Sequence, residues 1–402
     1  MAQTKTSVQP KMPAKSISAP RKKPLHIILP LRQFAALVKK NIVTVVAFAA
    51  AVVTSIIVPP DAQYLGYFDV KTLTCLFCVL AVVCALKNIR FFYLLAQAIV
   101  RCFRTARMSV LALVYITFIG SMLIANDMAL LTFLPLGYFV LHSTQKENYM
   151  AFTFIMQNIA ANLGGMLTPF GNPQNLYLYT KFNIPTAEFM GIMAVPFSVS
   201  IALITVLCLV FVRNEPLQIE AADEKLPKGR TALYLCLFAL SIAIVFRGIP
   251  YWIGLLMIPA VLLFADRKAL RDVDYPLLLT FVFFFIFAGN MARIDAVRNV
   301  FSFLLEKSTL LFSVLSCQCI SNVPSAILLS QFTDNYRDLL VGVNIGGVGT
   351  LIASLASLIT FREYTKHNPG KSGKYIGQFS AFNFGFLAVL TVSMLVFNNI
   401  ML

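Results

Sequence analysis

Apolar runs of about 20 residues, long enough to cross a lipid bilayer, alternate along the chain with short polar stretches. The pattern predicts crossings at about 41–58, 71–86, 187–212, 231–247, 250–265, 275–289 and 376–399, the first closed by Pro59-Pro60. Two further runs, 150–181 and 339–361, are interrupted by Gly-rich polar sequence, so each is expected to cross as two half-helices. Segments 90–105 and 291–306 carry basic residues beside apolar ones and read as helices lying at the interface. Arg293 and Asp295, in the second of them, are expected to pair with each other. Runs 108–142 and 308–333 each hold a polar interruption, Ala125-Asn126-Asp127 and Ser321-Asn322-Val323-Pro324. They read as re-entrant hairpins with polar tips. Nine crossings and two hairpins result.

The two broken runs are alike. ANLGGMLTPFGNPQNL at 161–176 and VNIGGVGTLIASLASL at 343–358 match in register. Asn162 meets Asn344, Gly164-Gly165 meets Gly346-Gly347, Thr168 meets Thr350, and Asn172 and Asn175 meet Ser354 and Ser357. The expected organisation is a basic tail with an interfacial segment at 1–40, a first membrane repeat at 41–212, a connector and linking span at 213–249, and a second repeat at 250–402. A single linking crossing turns the second repeat upside down. The fold class is therefore an all-α polytopic membrane protein of two inverted-topology repeats with re-entrant hairpins and discontinuous helices. Charge gives the same sidedness. Residues 61–69 contain no Lys or Arg, whereas Lys87, Arg90, Arg101, Arg104 and Arg107 follow the second crossing, and Arg362, Lys366, Lys371 and Lys374 follow the last broken run. The positive-inside rule puts the N-terminus in the cytoplasm and the C-terminus outside, in a cell membrane, plasma or inner.

Composition agrees. Hydrophobic residues make up 58% and charged residues 12%, against about 25% charged in a soluble domain. The net charge of +16 does not mark a nucleic-acid partner, because nine Lys/Arg and no Asp or Glu lie in residues 1–40. The first part of that tail reads as disordered, and residues 25–40 suit an anionic leaflet. A cleavable signal peptide is not expected. Cys75 and Cys78 form a CxxC amid apolar residues with no second pair or His nearby, and read as packing. No catalytic or metal-ligating constellation follows, so neither an enzyme nor a metal site is expected, and no cofactor beyond a coupling Na+ or H+.

In hydrocarbon, non-helical backbone survives only where it is buried in protein or lines a cavity. The tips and breaks therefore predict one polar pocket near the midplane. Half-helix N-termini there suit an anion, and exposed carbonyls suit a cation. The candidate contacts are Asn126, Ser321 and Asn322 at the tips. At the breaks they are Thr168, Gly171, Asn172 and Asn175 in the first, and Gly349, Thr350, Ser354 and Ser357 in the second. Asp127 is an acid in an otherwise apolar stretch. It is expected to carry a coupling proton, or to ligate sodium near Asn126 and Asn172, with capping of the helix from Met128 as the alternative.

IANDMALLTFLPL, NLGGMLTPFGNPQNL, SNVPSAILL and NIGGVGTLIASLASL resemble the ion transporter superfamily, above all its arsenite-permease and citrate-carrier branch. The similarity covers about 41–400. It implies hairpins entering from opposite faces, a homodimer, and elevator-type movement of the transport domain. The divalent anion/sodium symporters carry Ser-Asn-Thr at both tips. Here Asn126, Ser321 and Asn322 match, while Asp127 and Val323 stand at the Thr position. The expected function is secondary-active transport of a small anion, a di- or tricarboxylate, driven by Na+ or H+. The alternative on the same scaffold is arsenite or antimonite efflux, in which Cys317 and Cys319 before the second tip would matter, or Na+/H+ exchange.

Overall fold

The computed structural model describes residues 41–217 and 226–401. The basic tail, with the expectations placed on it, and the middle of the connector lie outside the described residues. The described residues hold seventeen α-helices, three short 3-10 turns and no strand.

α1 (Ile42–Ile57) stops before Pro59-Pro60. Asp61 opens a 3-10 turn (Ala62–Tyr67), and Asp69 caps α2 (Val70–Asn88) by accepting from Thr72 N at 2.9 Å. α3 (Phe91–Val100) leads to α4 (Ala106–Ile124), capped by Thr105, and α5 (Asn126–Ser143) meets α4 at Ala125. The first broken run becomes α6 (Met150–Gly164) and α7 (Pro173–Lys181), and α8 (Thr186–Phe211) is one long helix. α9 (Lys228–Val245), α10 (Tyr251–Ala265), the short α11 (Arg267–Arg271) and α12 (Tyr275–Ala292) follow. α13 (Asp295–Ile320) is interrupted at Ser308, where φ −166° and ψ 102° are extended, so 295–307 and 309–320 are separate helical pieces. α14 (Asn322–Leu329), α15 (Tyr336–Ile345), α16 (Leu355–His367) and α17 (Ser372–Met401) complete the chain.

Among the described residues, seven stretches are long and apolar enough to cross a membrane. The chain is an all-α polytopic membrane protein. α1 and α10, with 16 and 15 residues, are about 24 and 22 Å long, short of the roughly 30 Å of hydrocarbon in a typical bilayer. Val46, Val53 and Ile56 on α1 are exposed, as suits a lipid-facing surface.

The expected Arg293–Asp295 pair does not form. Arg293 sits just past the end of α12 and reaches Asp61 at 2.7 Å, while Asp295 takes Arg298 at 3.6 Å. Side chains two apart on a turn point to different sides, whereas residues three apart on a helix are neighbours.

Packing sorts the helices into two groups that cut across the sequence halves. α1 lies along α12, and α2 gathers α9, α10 and α11. In the other group α4 packs on α5 and α6, α16 on α5 and α6, α17 on α6 and α8, and α13 on α14 and α15. The groups meet where α2 touches α7 and α12 touches α14. Within the second group α16 lies beside α6 and α15 beside α7, the pairing of two broken helices that run antiparallel.

Candidate functional site

Both hairpin tips adopt one backbone conformation. Ala125 has φ 64°, ψ 152°, and Ser321 has φ 75°, ψ 159°. Positive φ is costly for any residue but Gly, so each tip is held by its surroundings. The Asn that follows folds onto its own helix in the same way. Asn126 Oδ1 accepts from Asp127 N, and Asn322 Oδ1 from Val323 N, both at 2.9 Å.

The breaks are alike too. Asn172 (φ −137°, ψ 143°) and Ser354 (φ −148°, ψ 152°) are the extended residues from which α7 and α16 start. Pro173 suits the first position of α7, because the N–H it lacks would have no helical partner there. Thr168 Oγ1 donates to Met122 O at 2.8 Å, and Thr350 Oγ1 to Gln318 O at 3.1 Å. Met122 and Gln318 each stand three residues before their tip. The two Thr side chains therefore clamp each break to its hairpin.

A broken helix leaves carbonyls without intrahelical donors. In the first break Asn175 Nδ2 serves Gly165 O, Met166 O and Thr168 O at 3.1, 3.2 and 3.3 Å. In the second, Gln318 reaches in from the hairpin. Its Nε2 donates to Gly346 O at 2.9 Å and Val348 O at 3.2 Å, and its Oε1 accepts from Thr350 N at 2.9 Å. Two glycines fit these turns for lack of room. A Cβ on Gly171 would lie 2.3 Å from Gly165 O, and one on Gly349, at φ 124°, would lie 2.1 Å from Gln318 Oε1.

A buried amide network joins the pieces. Asn126 Nδ2 donates to Asn162 Oδ1 at 3.2 Å. Asn172 Nδ2 donates to Asn162 O at 3.2 Å and Asn344 Oδ1 at 3.3 Å. Asn344 Nδ2 closes on Asn175 Oδ1 at 2.6 Å. Asn158 Nδ2 reaches Ser357 Oγ at 3.4 Å, and Ser357 N donates to Ser354 Oγ at 3.3 Å, which caps α16. At the second tip, Asn322 N and Ser321 Oγ both donate to Ala353 O, at 2.9 and 3.2 Å. Asn322 Nδ2 lies 3.0 Å, and Asn162 Oδ1 3.6 Å, from the point a Cβ on Gly347 would occupy. Both tips thus converge on one place. Asn126, Asn162, Asn172, Asn175, Asn322 and Asn344 are each at most 4% exposed.

At the first tip and the start of α7, three side chains are left short of partners. Asp127 Oδ1, Asn172 Oδ1 and both ends of the Gln174 amide are buried without a hydrogen bond. Asp127 makes no capping bond to α5; the Asn126 side chain takes that place. A buried polar atom without a partner costs about 1–3 kcal/mol, and more when charged.

Of the residues singled out from sequence, Asn126, Asn172 and Asn175 join the network directly, and Ser354 and Ser357 join it through Asn158. Ser321 and Asn322 fasten the second tip to the second break. Thr168, Thr350, Gly171 and Gly349 build the scaffold around it. Sequence reasoning passed over Gln318, Asn158 and Gln174. Asn158 and Asn162 stand one turn apart in a largely apolar run, beside Gln157, a readable signal. Gln318 carries none, since its mate in the first half is Met122. Among the described residues no cluster of His, Cys, Asp or Glu could hold a metal ion. Cys317 is buried and Cys319 exposed, so the thiols before the second tip do not face one another.

The family described as "Citrate transporter" (CitMHS) matches residues 33–336, which take in both tips and the first break. An uncharacterized transporter of Methanocaldococcus jannaschii is 33% identical over 294 residues, 73% of this chain and 80% of that protein. The inner membrane protein YbiR of Escherichia coli K12 is 30% identical over 279 residues, 68% of this chain and 74% of that protein. The chain belongs to the citrate transporter family and is a multi-pass membrane transporter.

Proposed function

We propose that the protein is a secondary-active transporter of a small anion, a di- or tricarboxylate, coupled to Na+ or H+. One observation carries the reading: two tips of identical backbone form converge on a buried Asn network beside two helix breaks. The N-termini of α5, α7, α14 and α16 open toward this network, and a helix N-terminus carries a partial positive charge that favours carboxylates. Asp127 Oδ1 and Asn172 Oδ1 are oxygen acceptors without donors, the donor type that suits Na+ or, at Asp127, a proton. A multivalent anion near an ionised Asp127 is repelled, so neutralising that carboxylate couples the cation to the substrate.

The matched tips, clamps and antiparallel broken helices support an inverted-topology repeat with re-entrant hairpins. The division into two packed groups supports an elevator mechanism. The group holding the Asn network would carry the substrate past α1, α2 and α9–α12, which would form the scaffold of a homodimer. The family description and the inner-membrane name of one relative agree with carboxylate transport across a cell membrane.

The test is citrate uptake into proteoliposomes under an imposed Na+ or proton gradient. Asn126→Ala and Asn322→Ala are expected to lower uptake about tenfold or more, the loss of one charge-assisted hydrogen bond, while the purified variants remain monodisperse. Normal transport by both folded variants would sink the proposal. Asp127→Asn is expected to uncouple uptake from the gradient.

A further inference from the structure

A polar cavity of about 570 Å³ lies away from the Asn network, on the seam between the two helix groups. One wall comes from the 3-10 turn, the start of α2 and the end of α12, with Tyr67, Lys71 and Arg293. The other comes from α7 and the turn after α14, with Tyr177, Lys181 and Gln331. Both elements of this second wall lead to the candidate site. Along α7, Asn172 lies five residues before Tyr177 and nine before Lys181, and α14 runs eight back from the turn to Ser321, so the cavity wall begins about 8 Å from the site along α7 and Lys181 stands about 14 Å from it. Tyr177, 2% exposed, lines the cavity from the side of α7 that leads to the network. Its OH is bonded to Ser330 Oγ at 2.9 Å and accepts from Gln331 Nε2 at 3.3 Å, tying α7 to the end of α14.

Four cations line the cavity, and two are already committed. Arg293 is paired with Asp61 and donates to Tyr67 OH at 3.1 Å, and Arg298 pairs with Asp295 and bonds Ala292 O. The lining carboxylate, Asp69, accepts from Thr72 N and Thr72 Oγ1 at the start of α2. Lys71 and Lys181 form no direct ion pair among the described residues, although the Asp69 and Asp334 carboxylates lie within electrostatic range of Lys181. Lys181 makes a 3.4 Å contact with the amide oxygen of Gln331. Two such ammonium groups on opposite walls of a cleft focus a positive potential into it.

We propose that this cavity is an antechamber site for a di- or tricarboxylate, held between Lys71 on one helix group and Lys181 on the other before it passes to the Asn network. What the anion does next rests on the transport reading; its binding in the cavity does not. Because the two lysines belong to different groups, sliding of one group past the other separates them and dissolves the site. Binding is therefore tied to one conformation of the transporter.

Citrate protection of lysines from acetylation by an N-hydroxysuccinimide ester, read by mass spectrometry on the purified full chain, tests the site. Citrate at four times its Kd is expected to slow labelling of Lys71 and Lys181 about fivefold, because protection scales as 1 + [L]/Kd. The same protection is expected in Asn322→Ala and in Asn126→Ala. No protection by citrate, or equal protection by sodium chloride at matched ionic strength, overturns the site. In proteoliposomes the double variant Lys71→Gln/Lys181→Gln is expected to raise KM for citrate about threefold or more at unchanged maximal rate, the signature of lost ground-state binding. The Arg replacements are expected to keep KM near its native value, and an unchanged KM in the Gln variant overturns the proposal. If the native protein carries no carboxylate, the transport reading fails, and the labelling result still decides the antechamber.

Discussion

Gln318 and Asn175 solve one problem from different places. Each satisfies the carbonyls of a helix break, but Asn175 sits after its break and Gln318 comes from the neighbouring hairpin. In-register matching of the two broken runs reveals Thr168 and Thr350 as equivalents. It does not reveal that they clamp hairpins, because their acceptors are backbone carbonyls with no sequence identity. Nor does it reveal Gln318, whose partner in the first half is an apolar Met122. Replacing Gln318 by Leu leaves Gly346 O, Val348 O and Thr350 N short of partners. At about 1–3 kcal/mol for each group left buried and unpaired, with relaxation offsetting part, the variant is expected to lose about 2–4 kcal/mol. Met122→Leu, a volume-conserving exchange, is expected to cost less than about 1.5 kcal/mol. Thermal unfolding of the two purified variants in one detergent measures the difference.

At the scale of elements, the tips combine a strained residue with an Asn that begins the next helix. Ala125 and Ser321 are held at positive φ with ψ near 155°, a region that costs a non-Gly residue about 1–3 kcal/mol. Ala125→Gly relieves that strain and adds about 0.5–1 kcal/mol of chain entropy cost. It is expected to leave stability unchanged or raise it by about 1 kcal/mol. Ala125→Val, β-branched at the same angles, is expected to lower it by more than about 2 kcal/mol. The polar interruptions at 125–127 and 321–324 were legible because small polar residues stand out in apolar runs, whereas the shared backbone strain was not, since neither tip carries Gly. A second element depends on pH. The Arg293 hydrogen bond holds the Asp61 carboxyl below its ordinary value of 3.8. A depressed folded-state value contributes stability above the ordinary carboxylate range and loses it as pH falls through the folded value. Amide-exchange protection factors of the turn Ala62–Tyr67 are therefore expected to fall as pH drops below that range, and Asp61→Asn to show low protection at every pH.

The whole molecule is divided in a way the order of the chain conceals. Hydropathy separates spans and charge assigns their sides, but neither says that α1 packs along α12 rather than beside its sequence neighbours. That regrouping depends on side-chain fit between segments more than 200 residues apart, as in the Thr44–Thr280 hydroxyl contact at 2.8 Å. If the two groups move past one another during transport, fixing a contact across the seam stops the cycle, while fixing a contact within the carrier group does not. The structure supplies a matched pair of aromatic contacts for this. Tyr177 on α7 and Phe285 on α12 face each other across the seam with ring centroids 5.6 Å apart. Phe182 after α7 and Tyr336 at the start of α15 lie within one group at the same 5.6 Å. Each pair is replaced by Cys in a protein whose exposed Cys102, Cys236 and Cys319 are Ser, then joined by the same short bifunctional thiol reagent. Cross-linking Tyr177→Cys to Phe285→Cys is expected to arrest citrate uptake, with recovery when a cleavable linker is reduced. Cross-linking Phe182→Cys to Tyr336→Cys is expected to leave most of the uptake intact. Transport that survives a complete cross-link across the seam would exclude relative movement of the two groups, and arrest by both links would mean that the carrier group itself must flex.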